Sequence, residues 1–90
     1  MPITFDPDKS RRNAEARGLP FEMAAEFDFD TAIVRQDMRF AYPERRMQAI
    51  GRLDARIVML VFTPTSDGFR VISLRQAHRK ERRLWHERQS

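Results

Sequence analysis

The alternation of apolar and polar positions predicts a sheet in the second two-thirds of the chain. Residues 56–63, RIVMLVFT, are apolar at almost every position, which is typical of a central strand covered on both faces. Two sets of side chains alternate in residues 69–74, as they do in a strand with two different faces. Other strands are predicted at 3–5, 31–38 and 45–53. Asp54-Ala55 and Asp67-Gly68 suit hairpin turns, which would join the last three strands into an antiparallel meander.

Helices are predicted in the N-terminal third, before most of these strands. Asp6 is a suitable N-cap, Pro7 suits the first helical position, and Gly18 suits the position after the last turn. A helix is therefore predicted at 7–17. A second, shorter helix is predicted to begin at 19–20, with its apolar side chains directed at the core.

A third helix is predicted after the last strand, because residues 77–88 contain many strong helix formers and no Gly or Pro. At about 100° per residue the helix has two distinct faces. Its packing face holds Ala77, Glu81, Leu84, Trp85 and Arg88, and its basic face holds Arg79, Arg82, Arg83 and His86. These elements predict one α+β domain over residues 1–90, with N-terminal helices and a C-terminal helix packed on an antiparallel sheet of about four strands.

Charge is distributed unevenly along the 90 residues, whose formal net charge is +4. Residues 1–30 carry a net charge of −3, whereas residues 69–90 carry +5 from seven basic and two acidic side chains. A basic C-terminal segment of this kind indicates a polyanion or an acidic protein as partner. The alternative for the basic helix face is an ordinary solvated surface.

Several chemistries have no residues to support them in this sequence. The chain has no cysteine and two histidines, so neither a disulfide framework nor a structural zinc site is expected. It has no Walker A and no G-x-G-x-x-G motif, and we expect no cofactor. No apolar run approaches the roughly 18 residues needed to span a bilayer, so we expect a cytoplasmic protein without membrane contact.

Three segments, in order and at about the right spacing, resemble a known family over almost the whole chain. The first is FDPDKSRRNAEARGLPFEMAAEFDFD, which follows the pattern W-D-P-x-K…N…H-G-V-x-F-E-E-A…F. The second is ERRMQAIGR, which follows E-x-R…I-G, and the third is RVISLRQAHRKERRLW, which follows R-I-I-S-x-R…A…E-R…Y. In this combination the chain resembles the BrnT toxins of type II BrnT/BrnA toxin–antitoxin systems.

The resemblance implies a fold, an activity and a partner. The fold would be similar to that of RelE-type toxins, and the activity would be that of an endoribonuclease that halts translation. The partner would be a BrnA-like antitoxin in a heterotetramer of two toxins and two antitoxins. Operator DNA would be bound through the antitoxin alone, and the RNA substrate would be bound by the toxin.

Cleavage of RNA without a metal ion sets three chemical tasks. A group must accept the 2′-OH proton, the phosphate oxygens must be stabilised, and the 5′-oxygen must be helped to leave. Arginine suits the second task, because its planar guanidinium stays charged and can bind phosphate through two hydrogen bonds. Glu44, in the segment that resembles E-x-R, is a candidate proton acceptor. The predicted catalytic residues are Glu44, Arg46, Arg75, Arg79 and Arg82.

These predicted roles have structural alternatives. For Arg75 the alternative is an ion pair that fixes the last strand to the C-terminal helix, and Glu81 is expected to pair with either Arg75 or Arg52. For Glu44 it is an ion pair with Arg45 or Arg46. Histidine often transfers protons near neutral pH, but His78 lies outside the family motif and is placed lower as a candidate.

Further residues are predicted to contact RNA, namely Lys9, Arg17, Arg70, Arg83 and Trp85. Lys9 matches the lysine that follows D-P in the family pattern. Arg17 and Trp85 depart from the pattern, which often has His and Tyr at these positions, and Phe5 stands where Trp is frequent. Arginine is a poor base and tryptophan cannot carry a proton. A weak or inactive toxin is therefore an alternative.

Three functional interpretations follow from the sequence. The first is an RNA-cleaving toxin that an antitoxin holds inactive. The second is a basic module without catalysis that binds an antitoxin or nucleic acid and acts as a co-repressor. The third is a plain structural subunit. Under the first interpretation we expect the antitoxin to cover the sheet face and the basic helix, because this would hide the phosphate site.

Overall fold

One five-stranded sheet organises the computed structural model of the protein, which describes residues 2–90. The strands are β1 (Ile3–Thr4), β2 (Ile33–Gln36), β3 (Met47–Leu53), β4 (Arg56–Pro64) and β5 (Phe69–Gln76). The helices are α1 (Pro7–Arg17), a 3-10 helix (Phe21–Glu26) and α2 (Arg79–Gln89). The strand order across the sheet is β1-β5-β4-β3-β2. The predicted α+β class, with helices from both ends of the chain, is confirmed.

The apolar strand β4 occupies the middle of the sheet, as its sequence predicts. It pairs antiparallel with β3 and with β5, so the meander of the last three strands is confirmed. The five residues from Val58 to Phe62 are all buried, because α1 and the 3-10 helix lie over one face and α2 lies over the other. A register shift between Val61 and Phe62 interrupts the pairing with β5.

The sheet has five strands and is mixed, whereas an antiparallel sheet of about four strands is predicted. The additional pairing is between β1 and β5, which run parallel with Ile3 opposite Phe69. The Phe69 amide donates to the Pro2 carbonyl oxygen at 3.1 Å. A Cβ atom at Gly68 would overlap that same oxygen, so β1 can approach only because residue 68 is glycine.

Several elements are shorter than the sequence predicts, and side-chain hydrogen bonds explain two of the differences. The second helix is a single 3-10 segment that ends where Phe27 becomes extended. Strand β2 ends at Gln36, because the following carboxylate of Asp37 accepts hydrogen bonds from Arg39 and holds the chain in a loop. Helix α2 begins at Arg79, because the Glu81 carboxylate caps it by accepting from the His78 amide at 2.7 Å.

The two faces of the sheet have separate cores. Under α1 and the 3-10 helix the buried cluster is Leu19, Phe21, Ala24, Phe27, Ala49, Leu53, Val58, Leu60, Phe62, Phe69, Val71 and Leu74. Under α2 the smaller buried cluster is Ile50, Met59, Val61 and Trp85. The first core is closely packed at Gly51, where a Cβ atom would lie 2.6 Å from Cζ of Phe27. The smaller core leaves part of the α2 face of the sheet uncovered.

Two polar side chains fix α1 to the rest of the fold. Buried Ser10 donates to Glu22 Oε1 at 2.6 Å and accepts from the Phe21 amide at 2.8 Å. Asn13 Nδ2 donates to the carbonyl oxygens of Leu19 at 2.6 Å and Leu74 at 2.8 Å. Since β1 pairs only with the first two residues of β5, the Asn13 contact lets α1 close the remaining edge of that strand. None of the helices in residues 2–90 has the length and apolar composition that a membrane span requires.

Replacing Asn13 with alanine should loosen this attachment of α1. Asn13→Ala leaves two backbone carbonyl oxygens without their donor, so the free energy of unfolding should fall by about 1–3 kcal/mol. The better helix propensity of alanine offsets less than about 0.7 kcal/mol of this loss. Urea denaturation measures the change. Arg12→Ala, an exposed neighbour on α1, should stay within about 0.5 kcal/mol of wild type, and an equal loss in both variants would contradict the role of Asn13.

Candidate active site

Arg75, at the end of β5, is held in place by Glu81 in the first turn of α2. Its Nη1 and Nη2 atoms donate to the two carboxylate oxygens of Glu81 at 2.8 and 3.0 Å. Both side chains are largely shielded, with 26% of Arg75 and 17% of Glu81 exposed. The ion pair expected between these residues is therefore present, and it joins strand to helix. Hydrogen bonding from Arg75 also holds the pKa of Glu81 below its usual range, against the opposing effect of burial.

The ion pair leaves part of the Arg75 guanidinium available for an anion. Nη1 also donates to the Gln76 carbonyl oxygen at 3.1 Å, so the side of the guanidinium that faces Glu81 is fully used. Within residues 2–90, Nε of Arg75 forms no hydrogen bond, and Nη2 forms one. Nε–H and the second Nη2–H lie side by side in the planar group, and such a pair can bind phosphate through two hydrogen bonds.

Polar side chains from two neighbouring strands lie beside Arg75 on the same face of the sheet. The register places Arg35 opposite Gln48, and Arg35 Nε donates to Gln48 Oε1 at 2.9 Å. Arg35, Gln48, Arg75 and Glu81 line one open depression of about 490 Å³. The smaller core under α2 does not extend to this part of the sheet, so these groups are accessible to a ligand.

Basic side chains of α1 border Arg75 on the other side. Arg17, Arg75 and His78 line a depression of about 360 Å³. A neighbouring depression of about 350 Å³ is lined by Lys9, Arg17 and Ser73, among others. The predicted RNA-binding residue Arg17 thus borders the predicted catalytic residue Arg75, and Lys9 lies in the adjoining depression on the far side of Arg17. We call this surface, formed by Lys9, Arg12, Arg17, Arg35, Arg75 and His78, the Arg75 surface.

The other predicted residues of α2 lie apart from this surface. Arg79 and Arg83 are exposed. Arg82 Nη1 donates to the Ala77 carbonyl oxygen at 2.7 Å, and the side chain lines a depression of about 710 Å³ near the β3–β4 turn. The depression near Arg82 also contains Arg52 and Arg56 and is therefore basic. The predicted basic face of the helix exists, but it is a second cationic surface rather than a part of the Arg75 surface.

Glu44 and Arg46 form a pair of their own in the loop between β2 and β3. Arg46 Nε lies 3.5 Å from Glu44 Oε1, and its guanidinium lies 4.2 Å from the centre of the Tyr42 ring. That Nε is buried and has no hydrogen-bond partner in the part of the chain that the structure describes. The pairing alternative for Glu44 is therefore observed. Neither residue lines the depressions that contain Arg75.

Two predicted RNA contacts occupy other places in the fold. Trp85 is 3% exposed, and its indole Nε1 donates to the Thr31 carbonyl oxygen at 3.0 Å. The prediction that Trp85 contacts RNA is therefore corrected: its ring fills the core between α2 and the sheet, where the apolar area is best buried. Arg70 is exposed near the start of β5, opposite Thr63 and beside β1.

Sequence reasoning did not identify all residues of the Arg75 surface. Arg12 and Arg35 were missed, as were Gln48 and Ser73, which line the same depressions, and His78 was placed low because it lies outside the family motif. The strand register brings Arg35, Gln48 and Ser73 to the α2 face, and the capping geometry of α2 brings His78 beside Arg17. Alternation within each strand was visible in the sequence, but the register between strands was not.

The Arg75–Glu81 pair should give the protein a characteristic sensitivity to acid. Because the folded-state pKa of Glu81 is lowered, the stabilisation is complete above the unfolded pKa of about 4.3 and is lost as pH falls through the lower folded value. Glu81→Gln should therefore be less stable than wild type at pH 7, and the difference should shrink at pH 3. Urea denaturation at both pH values measures this.

The control for this prediction is Glu87→Gln on the same helix. Glu87 is exposed and forms no ion pair within residues 2–90. Its replacement should leave the pH dependence of the unfolding free energy unchanged. A stability difference between Glu81→Gln and wild type that is equally large at pH 7 and pH 3 would contradict the electrostatic role of Glu81.

Comparison with known proteins identifies the family of this chain. A family model described as "Ribonuclease toxin, BrnT, of type II toxin-antitoxin system" matches residues 5–81. Neither a curated protein nor a solved structure gives a significant match. The matched residues include both Arg75 and Glu81. Since the match spans most of the 90 residues, the chain belongs to the BrnT family of ribonuclease toxins of type II toxin–antitoxin systems.

Proposed function

We propose that this chain is a metal-independent endoribonuclease that inhibits translation and binds its RNA substrate on the Arg75 surface. The observation that carries the proposal is the fixed guanidinium of Arg75, whose Nε–H and second Nη2–H form no hydrogen bond within residues 2–90 and whose side chain shares its depressions with Arg17 and Arg35. No group of three potential metal ligands among His, Cys, Asp and Glu occurs within residues 2–90. In the proposed reaction, arginine side chains stabilise the negative charge on the phosphate oxygens.

In the proposed reaction, the 2′-oxygen of a ribose attacks the adjacent phosphorus and the bond from phosphorus to the 5′-oxygen breaks. The products are a 2′,3′-cyclic phosphate and a free 5′-hydroxyl, whose proton is taken from water in this open site. Arg75 donates two hydrogen bonds to the phosphate oxygens, whose negative charge grows in the transition state. The ion pair with Glu81 fixes the guanidinium in advance, so little reorganisation is needed at the moment of reaction.

Proton transfer is assigned by elimination among the nearby groups. The Glu81 carboxylate is a poor base, because it is held by Arg75 and its pKa is lowered. Glu44 is paired with Arg46 away from the site. His78 is exposed and lines the same depression as Arg75, so we assign it the proton from the 2′-OH. Lys9 and Arg17 would bind neighbouring phosphates, and Arg70, Arg79, Arg82 and Arg83 would contact more distant parts of the RNA.

The residues at position 17 and at the two paired carboxylates support a second candidate function, that of a catalytically inactive basic module. Arg17 stands where the family often has histidine, and arginine cannot serve as a base at neutral pH. With both Glu44 and Glu81 engaged by arginines, proton transfer depends on His78 alone. An inactive copy would still bind antitoxin or nucleic acid and could act as a co-repressor. Cleavage assays separate the two functions.

The proposed partner is a BrnA-like antitoxin, in a heterotetramer of two toxins and two antitoxins that contacts operator DNA through the antitoxin. Membership in a type II toxin family implies a protein antitoxin. An antitoxin that neutralises the enzyme must keep RNA from Arg75, so it should cover or border the Arg75 surface. The cationic surface of α2 offers further contacts for an acidic partner.

Purified protein should cleave total RNA in the presence of EDTA, and Arg75→Ala should reduce the rate by about 10²- to 10³-fold. Arg75→Lys keeps the charge but loses the paired donors, so it should restore only part of the activity. Arg88→Ala, which removes an exposed arginine at the far end of α2, is the matched control and should cleave at the wild-type rate. Gel analysis of the products measures each rate.

Two further measurements, on His78→Ala and on RNA binding by the wild-type protein, can contradict the proposed catalysis. His78→Ala should lose cleavage while its RNA affinity is retained, because it removes the proposed proton acceptor and leaves the Arg75–Glu81 pair intact. Circular dichroism verifies that each variant is folded. If folded wild-type protein binds RNA but leaves it uncleaved, the inactive-module function is correct, and Arg17→His becomes the substitution that should restore activity.

The salt dependence of RNA binding should locate the main contact surface. If Lys9 and Arg17 each contact one phosphate of a single strand, the double variant Lys9→Ala/Arg17→Ala should reduce the slope of log affinity against log salt by about 1.4. Arg82→Ala/Arg83→Ala removes two charges from α2 and should change the slope less. Fluorescence anisotropy with an inactive Arg75 variant measures both slopes, and the opposite order would place the RNA on α2.

A further inference from the structure

The exposed apolar side chains of the described residues are concentrated at one edge of the sheet. Large hydrophobic residues are exposed at Val34 (44%), Met38 (76%) and Phe40 (69%), and in the rest of residues 2–90 no others are. They belong to β2 and the loop that follows it. The three side chains lie within seven consecutive residues at one edge of a charged surface, which makes this edge a candidate binding site. We call Val34, Met38 and Phe40 the edge patch.

The backbone of β2 is open for pairing along the same edge. Strand β2 is outermost in the sheet and pairs only with β3. The Asp37 amide donates toward β3, to the Arg46 carbonyl oxygen at 2.8 Å. Since backbone groups alternate in direction along a strand, those of Ile33 and Arg35 also face β3, whereas those of Val34 and Gln36 face outward. An added strand would find its hydrogen-bonding partners at residues 34 and 36.

The loop that presents Met38 and Phe40 is held rigidly. The Asp37 side chain is fully enclosed and accepts hydrogen bonds from Arg39 Nε and Nη2, at 2.9 and 2.7 Å, and from Tyr42 Oη at 3.3 Å. Phe40 stacks edge-on against Tyr42, whose ring lies under the Arg46 guanidinium. A rigid loop loses little conformational entropy on binding, so its exposed apolar side chains can contribute most of their burial to affinity.

The charges around the edge patch favour an acidic partner. Residues 34–46 contain four arginines and two carboxylates, and both carboxylates, Asp37 and Glu44, are already paired with arginines of the same loop. The net charge of this segment is therefore +2. A second copy of the chain is disfavoured, because pairing two β2 strands about a twofold axis would bring the Arg35 side chains together.

A protein segment fits the edge patch better than RNA does. Bases stack on aromatic rings, but two of the three exposed side chains, Val34 and Met38, are aliphatic. Methionine and aromatic residues are enriched in protein interfaces. The outward backbone groups of β2 also match the needs of an extended peptide, which adds a strand through main-chain hydrogen bonds.

We propose that an acidic, extended segment of the antitoxin pairs with the outer edge of β2 and buries Val34, Met38 and Phe40. The identity of the partner rests on the proposed function, whereas the location does not. Met38 and Arg39 also line the depression that contains Arg75 and Glu81. A segment bound at this edge would therefore border the Arg75 surface and obstruct the approach of RNA from that side.

Proline at position 34 tests the strand pairing directly. The Val34 N–H faces away from β3, so Val34→Pro removes an outward donor and leaves the bonds between β2 and β3 in place. Calorimetry measures the affinity of each variant for the cognate BrnA-like antitoxin, which is purified separately. The affinity of Val34→Pro and of Phe40→Asp should be at least tenfold lower than that of wild type. Val34→Ala, the matched control, retains the backbone donor and should lose much less. In the wild-type complex, NMR hydrogen exchange should show new protection of the amides of residues 34 and 36.

The possible outcomes separate this proposal from the proposed function. If wild type and both variants bind antitoxin equally, the proposed edge is wrong and the antitoxin partnership stands. If wild type does not bind the antitoxin, the partnership itself is wrong, and so is the identity assigned to the segment. If Phe40→Asp weakens RNA binding but not antitoxin binding, the patch belongs to RNA. Circular dichroism and the cleavage rate of free Val34→Pro verify that the variant is folded.

Discussion

The structure depends on burying the apolar side chains of β4 on both faces of the sheet. Its central residues have apolar side chains in both directions, and Val58 and Leu60 are completely buried. Burial of each such side chain contributes about 1.5–3 kcal/mol, so neither face can be left to water in a 90-residue domain. The N-terminal third covers one face with a large core. The other face depends on α2, an 11-residue helix whose one fully buried side chain is Trp85.

The incomplete covering of the sheet face under α2 explains why the candidate active site lies on that face. Helix α2 is too short to cover the whole face, and the ion pair between Arg75 and Glu81 fixes its first turn to the end of β5. The uncovered part of the face keeps Arg35 and Gln48 accessible. The side chains that hold the helix in position therefore also form the edge of the candidate site, so the attachment of α2 and the geometry of the proposed phosphate contact depend on the same ion pair.

The protein presents two surfaces of different character beside each other. The Arg75 surface is polar and cationic, as RNA requires, whereas the edge patch is apolar and lies beside open backbone groups of β2. The loop between β2 and β3 joins them, because Met38 borders both. A regulator bound at the edge can thus interfere with substrate without imitating RNA. Such an arrangement allows separate sequence changes to alter catalysis and partner recognition.

Local patterns in the sequence were enough to predict which strands and helices the fold contains. The apolar run of β4, the cap at Asp6, the stop at Gly18 and the two faces of α2 predict the meander and the helices, because each is a local pattern of about 5 to 15 residues. The segment matches also indicated the BrnT family, and the pair of Arg75 with Glu81 is one of the two pairings, with Arg75 or with Arg52, that the sequence predicted for Glu81.

The tertiary structure alone decided which of the candidate residues lie together. Nothing local in the sequence shows that β1 pairs with β5, that α1 places Arg17 beside Arg75, or that Arg35 lies on the same face of the sheet as Arg75. Such contacts join residues far apart in the chain, and they depend on strand register and on hydrogen bonds such as those of Asn13. Trp85 was given two roles from the sequence, a place on the packing face of the helix and a contact with RNA, and its burial in the core agrees with the first role and not with the second.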